Sequence, residues 1–189
     1  TVSAAGAANQ TVTVVQAGAS ATLSVTPSSQ SVPATAGNTS FTVTSNTNWT
    51  AQSNSGWCTV TASGNGNGTI TATFTANTLT TSRTATITVS AAGAANQTVT
   101  VVQAGATSTL SVSPSSQSVA ATAGSTNFTV TSNTNWTAQS DAGWCTVTAS
   151  GNGNGTITAT FTANTLTTSR TATITVSATG VANQTVTVV

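Results

Sequence analysis

The sequence predicts an all-β protein built from tandem copies of one small module, and three observations lead to this fold class. First, residues recur at an offset of 87 positions, so that Trp49 returns as Trp136 and Arg83 returns as Arg170. Second, apolar and hydroxyl residues alternate along most of each copy, which is the two-residue period of half-buried strands. Third, clusters of Gly, Asn, Ser and Pro interrupt this alternation at short intervals, as is typical of turns.

The offset divides the chain into three parts. Residues 16–102 and 103–189 form two complete repeats that differ at ten positions. Residues 1–15 are identical to 88–102, so they are predicted to be the C-terminal strand region of a preceding repeat. Self-similarity at a fixed period is the signature of a tandem array.

The alternation gives the expected elements of a repeat in order. In the first repeat the alternating segments are 23–25, 41–43, 58–60, 70–74, 85–89 and 99–101. Short strands at this spacing, with no helical pattern between them, predict an immunoglobulin-like β-sandwich of about seven strands per repeat. The linker is predicted to be Gln103–Ala106, equivalent to Gln16–Ala19, and so short a connection predicts repeats arranged end to end.

Each repeat contains four aromatic residues and one cysteine. Phe41, Trp49, Trp57 and Phe74 are all expected inside, because a domain of this size needs nearly all its large apolar side chains to form a core. Cys58 and its counterpart in the second repeat occupy equivalent positions in separate domains. They are therefore predicted to be buried free thiols rather than partners in one disulfide.

The chain is almost uncharged, which excludes most chemistry. Arg83, Arg170 and Asp141 are its only charged residues, and it has no histidine. This set cannot supply the usual acid–base pairs or the ligand sets of zinc and calcium, so we predict no catalytic residues, no metal site and no cofactor, and no enzyme activity. It also lacks the basic patch that nucleic-acid binding needs, and no segment is apolar for long enough to insert into a membrane.

Two interpretations of the low charge stay open: an inert secreted surface, or weak mutual repulsion that lets copies pack together. The arginines have few possible partners. Because the first repeat has no carboxylate, the donors of Arg83 are predicted to serve backbone carbonyls or to lie over an aromatic face. Arg83 and Arg170 are thus candidate structural clamps.

A set of motifs recurs in both repeats and carries a family resemblance. The motifs are a Trp after an Asn-rich turn (Trp49, Trp136), a Trp before a buried strand (Trp57, Trp144), an Asn after a long strand (Asn77, Asn164), an Arg at the next strand (Arg83, Arg170) and a closing Val101-Val102-Gln103. With them, the chain resembles the BACON domain, an immunoglobulin-like module of Bacteroidetes secreted and surface proteins. Cys58 and Cys145 depart from the family, which usually carries an aliphatic residue there. The resemblance implies an extracellular or cell-surface location in a Bacteroidetes-type bacterium.

The leading functional hypothesis is a non-catalytic structural repeat of a long extracellular fibre or adhesin stalk. A stronger version adds self-assembly, in which a closing strand joins the sheet edge of a neighbouring subunit. The candidate subunit contacts are Thr1, Val2, Thr11, Val12, Thr13, Val14 and Val15. The other interpretation of these residues is a sequence cut arbitrarily at a repeat boundary.

A second hypothesis is a carbohydrate-binding array for surface polysaccharide, which the family name suggests. Its candidate stacking platforms are Trp49, Trp57, Trp136 and Trp144, although a core position for each ring is the competing interpretation. A third hypothesis, ice or mineral binding, comes from Thr-x-Thr rows such as 69–75, which also arise on any Thr-rich sheet face.

Overall fold

The computed structural model describes residues 1–189 and contains eighteen strands. Residues 23–106, termed module 1, and residues 110–189, termed module 2, each contain nine of them. Module 1 has β1 (Leu23–Thr26), β2 (Ser29–Val32), β3 (Gly37–Ser45), β4 (Asn48–Ser53), β5 (Cys58–Val60), β6 (Ser63–Asn65), β7 (Gly68–Phe74), β8 (Arg83–Ala91) and β9 (Gln97–Gln103). Module 2 has β10 (Leu110–Ser113), β11 (Ser116–Gln117), β12 (Gly124–Ser132), β13 (Asn135–Ser140), β14 (Cys145–Val147), β15 (Ser150–Asn152), β16 (Gly155–Phe161), β17 (Ala172–Ala178) and β18 (Gln184–Val188). The structure has no helix of the length and apolar character needed to cross a membrane.

Each module packs a four-stranded sheet against a five-stranded sheet. In module 1 the strand orders are β1-β3-β7-β5 and β2-β9-β8-β4-β6, and module 2 repeats both orders. All pairs are antiparallel except β2 with β9 and β11 with β18. The predicted all-β, immunoglobulin-like sandwich is confirmed. Nine strands replace the expected seven because β2 and β6 have only four and three residues, too few to show alternation.

The core lies between the two sheets and follows the alternation in the sequence. Side chains such as Phe41 and Ile70 from one sheet meet Ile87 and Val101 from the other, and all four are at most 1 % exposed. The intervening threonines of β7 are exposed. The prediction of one apolar and one hydroxyl face per sheet is therefore correct, and burial of the apolar face stabilises each module.

The aromatic residues divide differently from the expectation. Phe41, Trp49 and Phe74 belong to the core of module 1, whereas Trp57 is only partly buried against it. Trp57 comes just before β5, which is an edge strand, so its ring packs at the border of the sandwich. The expectation that all four aromatics lie inside is wrong for this one.

The N-terminal segment keeps part of the structure of its repeat. Val2 bridges to Gln10 as Val89 pairs with Gln97, and Gly6 has a φ of 82°, close to the 80° of Gly93. Residues 11–22 have no strand partner, so the valines of this stretch are exposed. Assignment of residues 1–15 to a preceding repeat, and their role as subunit contacts, stay predictions.

The predicted linker is part of module 1. Gln103 belongs to β9 and is 0 % exposed, and the amide of Ala104 donates to the Val32 carbonyl over 3.0 Å. The amide of Ala106 donates to the Leu79 carbonyl over 2.8 Å. These bonds attach Gln103–Ala106 to module 1, and the division of the chain into 16–102 and 103–189 stays a prediction. The end-to-end arrangement of the modules stays a prediction.

Candidate functional site

The first tryptophan of each repeat is a core side chain. Trp49 is 3 % exposed, and its indole Nε1 donates to the Gly66 carbonyl over 3.0 Å. A Cβ on Gly64 would lie 2.2 Å from the ring, so only glycine fits there. Trp136 is equally buried and makes the matching bond to Gly153. Because a ring must be open to stack on a sugar, this corrects the sequence prediction that Trp49 and Trp136 are carbohydrate platforms.

The second tryptophan is stacked with the arginine of its own repeat. The guanidinium carbon of Arg83 lies 4.3 Å from the ring centroid of Trp57, and that of Arg170 lies 4.1 Å from Trp144. A cation over an aromatic face is attracted by the ring quadrupole. The arginine covers one face of each ring, so only the remaining, partly exposed part of the ring is available to a ligand.

Arg83 also connects the residue after β7 to the last residue of β9. Its Nη2 donates to the Thr75 carbonyl over 2.8 Å, and its Nε donates to the Gln103 side-chain oxygen over 2.9 Å. The sequence predicts a backbone carbonyl and an aromatic face as alternatives, and Arg83 makes both contacts; its bond to the Gln103 side chain was not predicted. Whether these contacts act as a stabilising clamp stays a prediction.

Gln103 connects several segments at this end of module 1. Its amide nitrogen lies 3.0 Å from the Thr75 carbonyl, 3.2 Å from the Ala34 carbonyl and 3.4 Å from the Thr35 carbonyl. A buried amide must find such partners, because an unpaired one loses its hydration without compensation. The side chain thus ties β9 to the loops after β2 and β7.

Asn77 completes the same network. It is 2 % exposed, and its side chain donates to the carbonyls of Thr81 over 2.8 Å and Ala104 over 3.0 Å. Its side-chain oxygen accepts from the amide of Leu79 over 3.3 Å. We call the contacts of Asn77, Arg83 and Gln103–Ala106 the basal network of module 1.

Module 2 has an open cavity where module 1 has this network. The cavity measures about 370 Å³ and is lined by Val119, Trp144, Asn164, Leu166, Arg170 and Val189 among others. Asn164 keeps its bond to Thr168 at 2.9 Å, and Arg170 keeps its contact with Thr162. The equivalents of Asn77 and Arg83 thus line this cavity, beside Val189, the last residue of the sequence.

The two cysteines are buried, as predicted. Cys58 and Cys145 are each 1 % exposed and free. Burial raises the pKa of the Cys58 thiol above its ordinary value, against smaller lowering effects of Ser53 and Arg83. Burial likewise raises the pKa of Cys145, and Asp141 adds to this rise. Both thiols are thereby kept in the protonated, unreactive form.

Sequence reasoning missed Gln103 and Asn77 as buried polar residues. From the sequence, Gln103 is placed in the linker, and Gln103 and Asn77 are named as motif members, but burial is predicted for neither. The available signal was the strand pattern, since Gln103 continues the alternation of Val99 and Val101. A polar residue at an inward position of a strand indicates a buried hydrogen-bond network.

The fold and these sites define the class of protein as a tandem immunoglobulin-like β-sandwich protein. The viral BACON domain family matches residues 22–106 and 109–189, which is most of the chain. The chain therefore belongs to the BACON family, as the sequence motifs predicted. The first match includes Gln103–Ala106, in agreement with their place in module 1.

Solved structures with similar chains are distant. A Bacteroides ovatus GH5 xyloglucanase in complex with a heptasaccharide matches at 25 % identity and a TM-score of 0.43, over 47 % of this chain and 19 % of that one. Domains 5–6 of the S-layer protein SbsC match at 19 % identity and 0.37, over 89 % and 96 %. Titin domains I67–I69 match at 13 % identity and 0.37, over 91 % and 66 %. The chain spans about a fifth of the xyloglucanase, and no curated protein matches it.

Proposed function

We propose that this chain is a non-catalytic structural repeat of a long extracellular fibre or adhesin stalk, located at the surface of a Bacteroidetes-type bacterium. The observation that carries the proposal is that both modules have the same sheet order and, where their strands pair, the same register. Phe41 pairs with Ile70 as Phe128 pairs with Ile157, with the same offset of 87 residues as in the sequence. Repetition of one complete domain adds length with each copy.

The surface supports the same function. The aromatic and charged side chains of module 1 contact other parts of the same module. Trp49 lies in the core, and Arg83 contacts the Trp57 ring and the Thr75 carbonyl. The outer faces of the sheets present threonine. Such a surface is hydrated through hydroxyl groups and carries little charge, which suits modules that pack beside one another.

Self-assembly is the finer part of the proposal. Residues 11–15 belong to no strand, and their valines are exposed. An unpaired segment of this kind can add to a sheet of a neighbouring subunit through backbone hydrogen bonds. The partner is therefore a second copy of this chain.

Electron microscopy of the purified chain, with light scattering for mass, tests the proposal. Filaments, with a mass that rises with protein concentration, are the expected result. Particles of single-chain mass at every concentration would contradict self-assembly and leave only the stalk. Modules that sample all relative orientations in solution scattering would contradict the stalk, because a flexible chain of domains cannot keep an attached domain at a fixed distance from the cell surface.

Carbohydrate binding is the second candidate, and the partly exposed rings of Trp57 and Trp144 favour it. A glycan screen of the wild-type chain against W57A/W144A tests it, with the folding of the variant checked by circular dichroism. Binding that disappears in a folded variant supports it. Binding by neither protein, or equally by both, contradicts a role for these rings.

A further inference from the structure

We propose that the connection between modules 1 and 2 is a stiff joint, in which Asn133 fixes the segment ahead of β10 and the basal network of module 1 fixes the segment after β9. The inference deepens the stalk function proposed above and rests on it, because a stalk needs joints that keep its modules in line. Three observations carry it: the bonds of the connection to module 1, its bonds to module 2, and the direct succession of the two sets along the chain.

The composition of the connection predicts the opposite property. Residues 104–109 read Ala-Gly-Ala-Thr-Ser-Thr, without a large or charged side chain. Segments of small residues rich in glycine and serine behave as flexible linkers when nothing binds them. Any stiffness of the joint must therefore come from hydrogen bonds to the two modules.

The first half of the connection is bonded to module 1. The carbonyl of Ala104 accepts from the buried Asn77 side chain over 3.0 Å. The amide of Ala106 donates to the Leu79 carbonyl over 2.8 Å. Both partners belong to the loop after β7, so residues 104–106 move with module 1.

The second half of the connection is bonded to module 2 by one amide side chain. Asn133, in the turn after β12, donates to the Thr107 carbonyl over 2.9 Å, and its side-chain oxygen accepts from the Thr109 amide over 2.8 Å. The Thr109 carbonyl accepts in addition from the Ser132 hydroxyl over 2.8 Å. Residues 107–109 therefore move with module 2.

The two bonded halves meet at a single peptide bond. Ala106 is held through its amide and Thr107 through its carbonyl, so the torsions between these two anchors are the φ and ψ angles of Ala106 and Thr107. The peptide bond between them is planar, and neither residue is glycine, so these torsions have a restricted range. The modules are thus joined with little freedom to bend.

The same arrangement occurs ahead of β1. Asn46 donates to the Ser20 carbonyl over 2.8 Å and accepts from the Thr22 amide over 2.8 Å. Serine stands here where module 2 has Thr107, and the bond is kept because it uses the backbone carbonyl. Each repeat therefore carries its own anchor for the segment before its first strand. Asn46 is also a matched control, since its bonds lie outside the joint between modules 1 and 2.

Pulsed electron paramagnetic resonance on the full chain measures the stiffness of the joint. The parent chain carries spin labels at T71C and T158C, which are equivalent, exposed strand positions. It also carries C58V/C145V, so that no other thiol reacts with the label. The width of the distance distribution between the two labels reports how far the modules move relative to each other.

N133A should widen this distribution, and N46A should not. We expect an increase of at least about twofold in width for N133A, because the segment at Thr107 is released from module 2 and becomes a short flexible linker. N133D separates the two bonds of the side chain. An aspartate still accepts from the Thr109 amide but cannot donate to the Thr107 carbonyl, so N133D should widen the distribution as well.

Circular dichroism checks the folding of every variant, and N133D keeps the proposal under test if N133A fails to fold. Distributions of N133A and N133D as narrow as that of the parent chain would overturn the joint and leave the stalk unaffected. Equal widening by N46A would also overturn it, because the effect would then not depend on bonds at the joint. A broad distribution in the parent chain would contradict both the joint and the stalk.

Discussion

Modules 1 and 2 have nearly the same sequence, but their basal ends differ. In module 1, β8 has nine residues and β2 has four, whereas β17 and β11 have seven and two. Asn77 is buried in module 1, and Asn164 is partly exposed in module 2. In module 1 this end of the sandwich includes the bonds that Gln103–Ala106 make to Val32, Asn77, Leu79 and Arg83.

The regions around Trp49 and Trp136, in contrast, are equivalent in the two modules. Trp49 and Trp136 are each 3 % exposed, and each indole bonds over 3.0 Å to the carbonyl of a glycine. Asn54 and Asp141 differ chemically, but each side-chain oxygen accepts from a backbone amide, of Thr86 over 2.9 Å and of Thr173 over 2.8 Å. The comparison predicts equal effects of matched substitutions here and unequal effects at the basal end.

The largest expected effect is that of removing the core tryptophan. W49A and W136A should each destabilise their own module by about 3–5 kcal/mol, because each change leaves a cavity and an unpaired carbonyl. Calorimetry of both variants checks this through the two unfolding transitions. If one substitution lowered both transition temperatures equally, the modules would unfold as one unit. That result would contradict two independent cores.

The next effect tests the basal network directly. Q103A should lower the stability of module 1 by about 1–3 kcal/mol, because it removes a 0 % exposed side chain that donates to the carbonyls of Ala34 and Thr75 and accepts from Arg83. Denaturant titration measures the change. Q16A is the matched control, since Gln16 has the same sequence context and is exposed. Equal stability of Q103A and wild type would mean that the four residues cover the base without stabilising it.

The sequence could predict the sandwich because its signal is local and repeated. Alternation of residues such as Ile70, Ala72 and Phe74 fixes which face of a strand is buried, and the offset of 87 residues confirms each assignment once more. The candidate sites were harder to predict from the sequence. Trp49 and Trp57 look alike in sequence. Only their places in the fold determine that the first ring is buried and the second is not: Trp49 is on β4 next to β8, and Trp57 comes just before the edge strand β5.

Gln103 shows the second reason for the limit. Its role depends on carbonyls of residues 34, 35 and 75, which are distant in sequence and carry no side-chain signature. Ala-Gly-Ala after it has the composition of a linker, yet Gly105 is needed because Thr80 leaves no space for a Cβ. A linker and a close backbone contact can thus have the same sequence.

A smaller effect distinguishes the two arginines. R83K and R170K should each cost about 1 kcal/mol, because lysine cannot place a planar fork over the ring and on the carbonyl together. The loss should be greater for R83K, since only Arg83 also bonds to Gln103. A double-mutant cycle of R83K with Q103A measures this coupling. Zero coupling, or equal losses in both modules, would contradict the clamp as described.

The smallest effect is a loss of stability at alkaline pH from the buried thiols. Burial raises the pKa of Cys58 and Cys145 above the ordinary value of 9.0. Between the ordinary pKa of 9.0 and the raised pKa of the folded protein, the unfolded chain has released the thiol proton that the folded chain keeps. The unfolded state therefore binds fewer protons, and stability falls as pH rises above about 9. The fall is at most about 1.4 kcal/mol per pH unit for each thiol.

The comparison between modules sharpens this prediction. Asp141 adds to the rise in the pKa of Cys145, whereas Cys58 has the uncharged Asn54 at the corresponding position. Denaturant titrations at pH 7 and pH 10 should therefore show a smaller alkaline loss in D141N than in wild type. C58V/C145V should lose no stability from this source. An alkaline loss of the same size in C58V/C145V as in wild type would assign the effect to groups other than the two thiols.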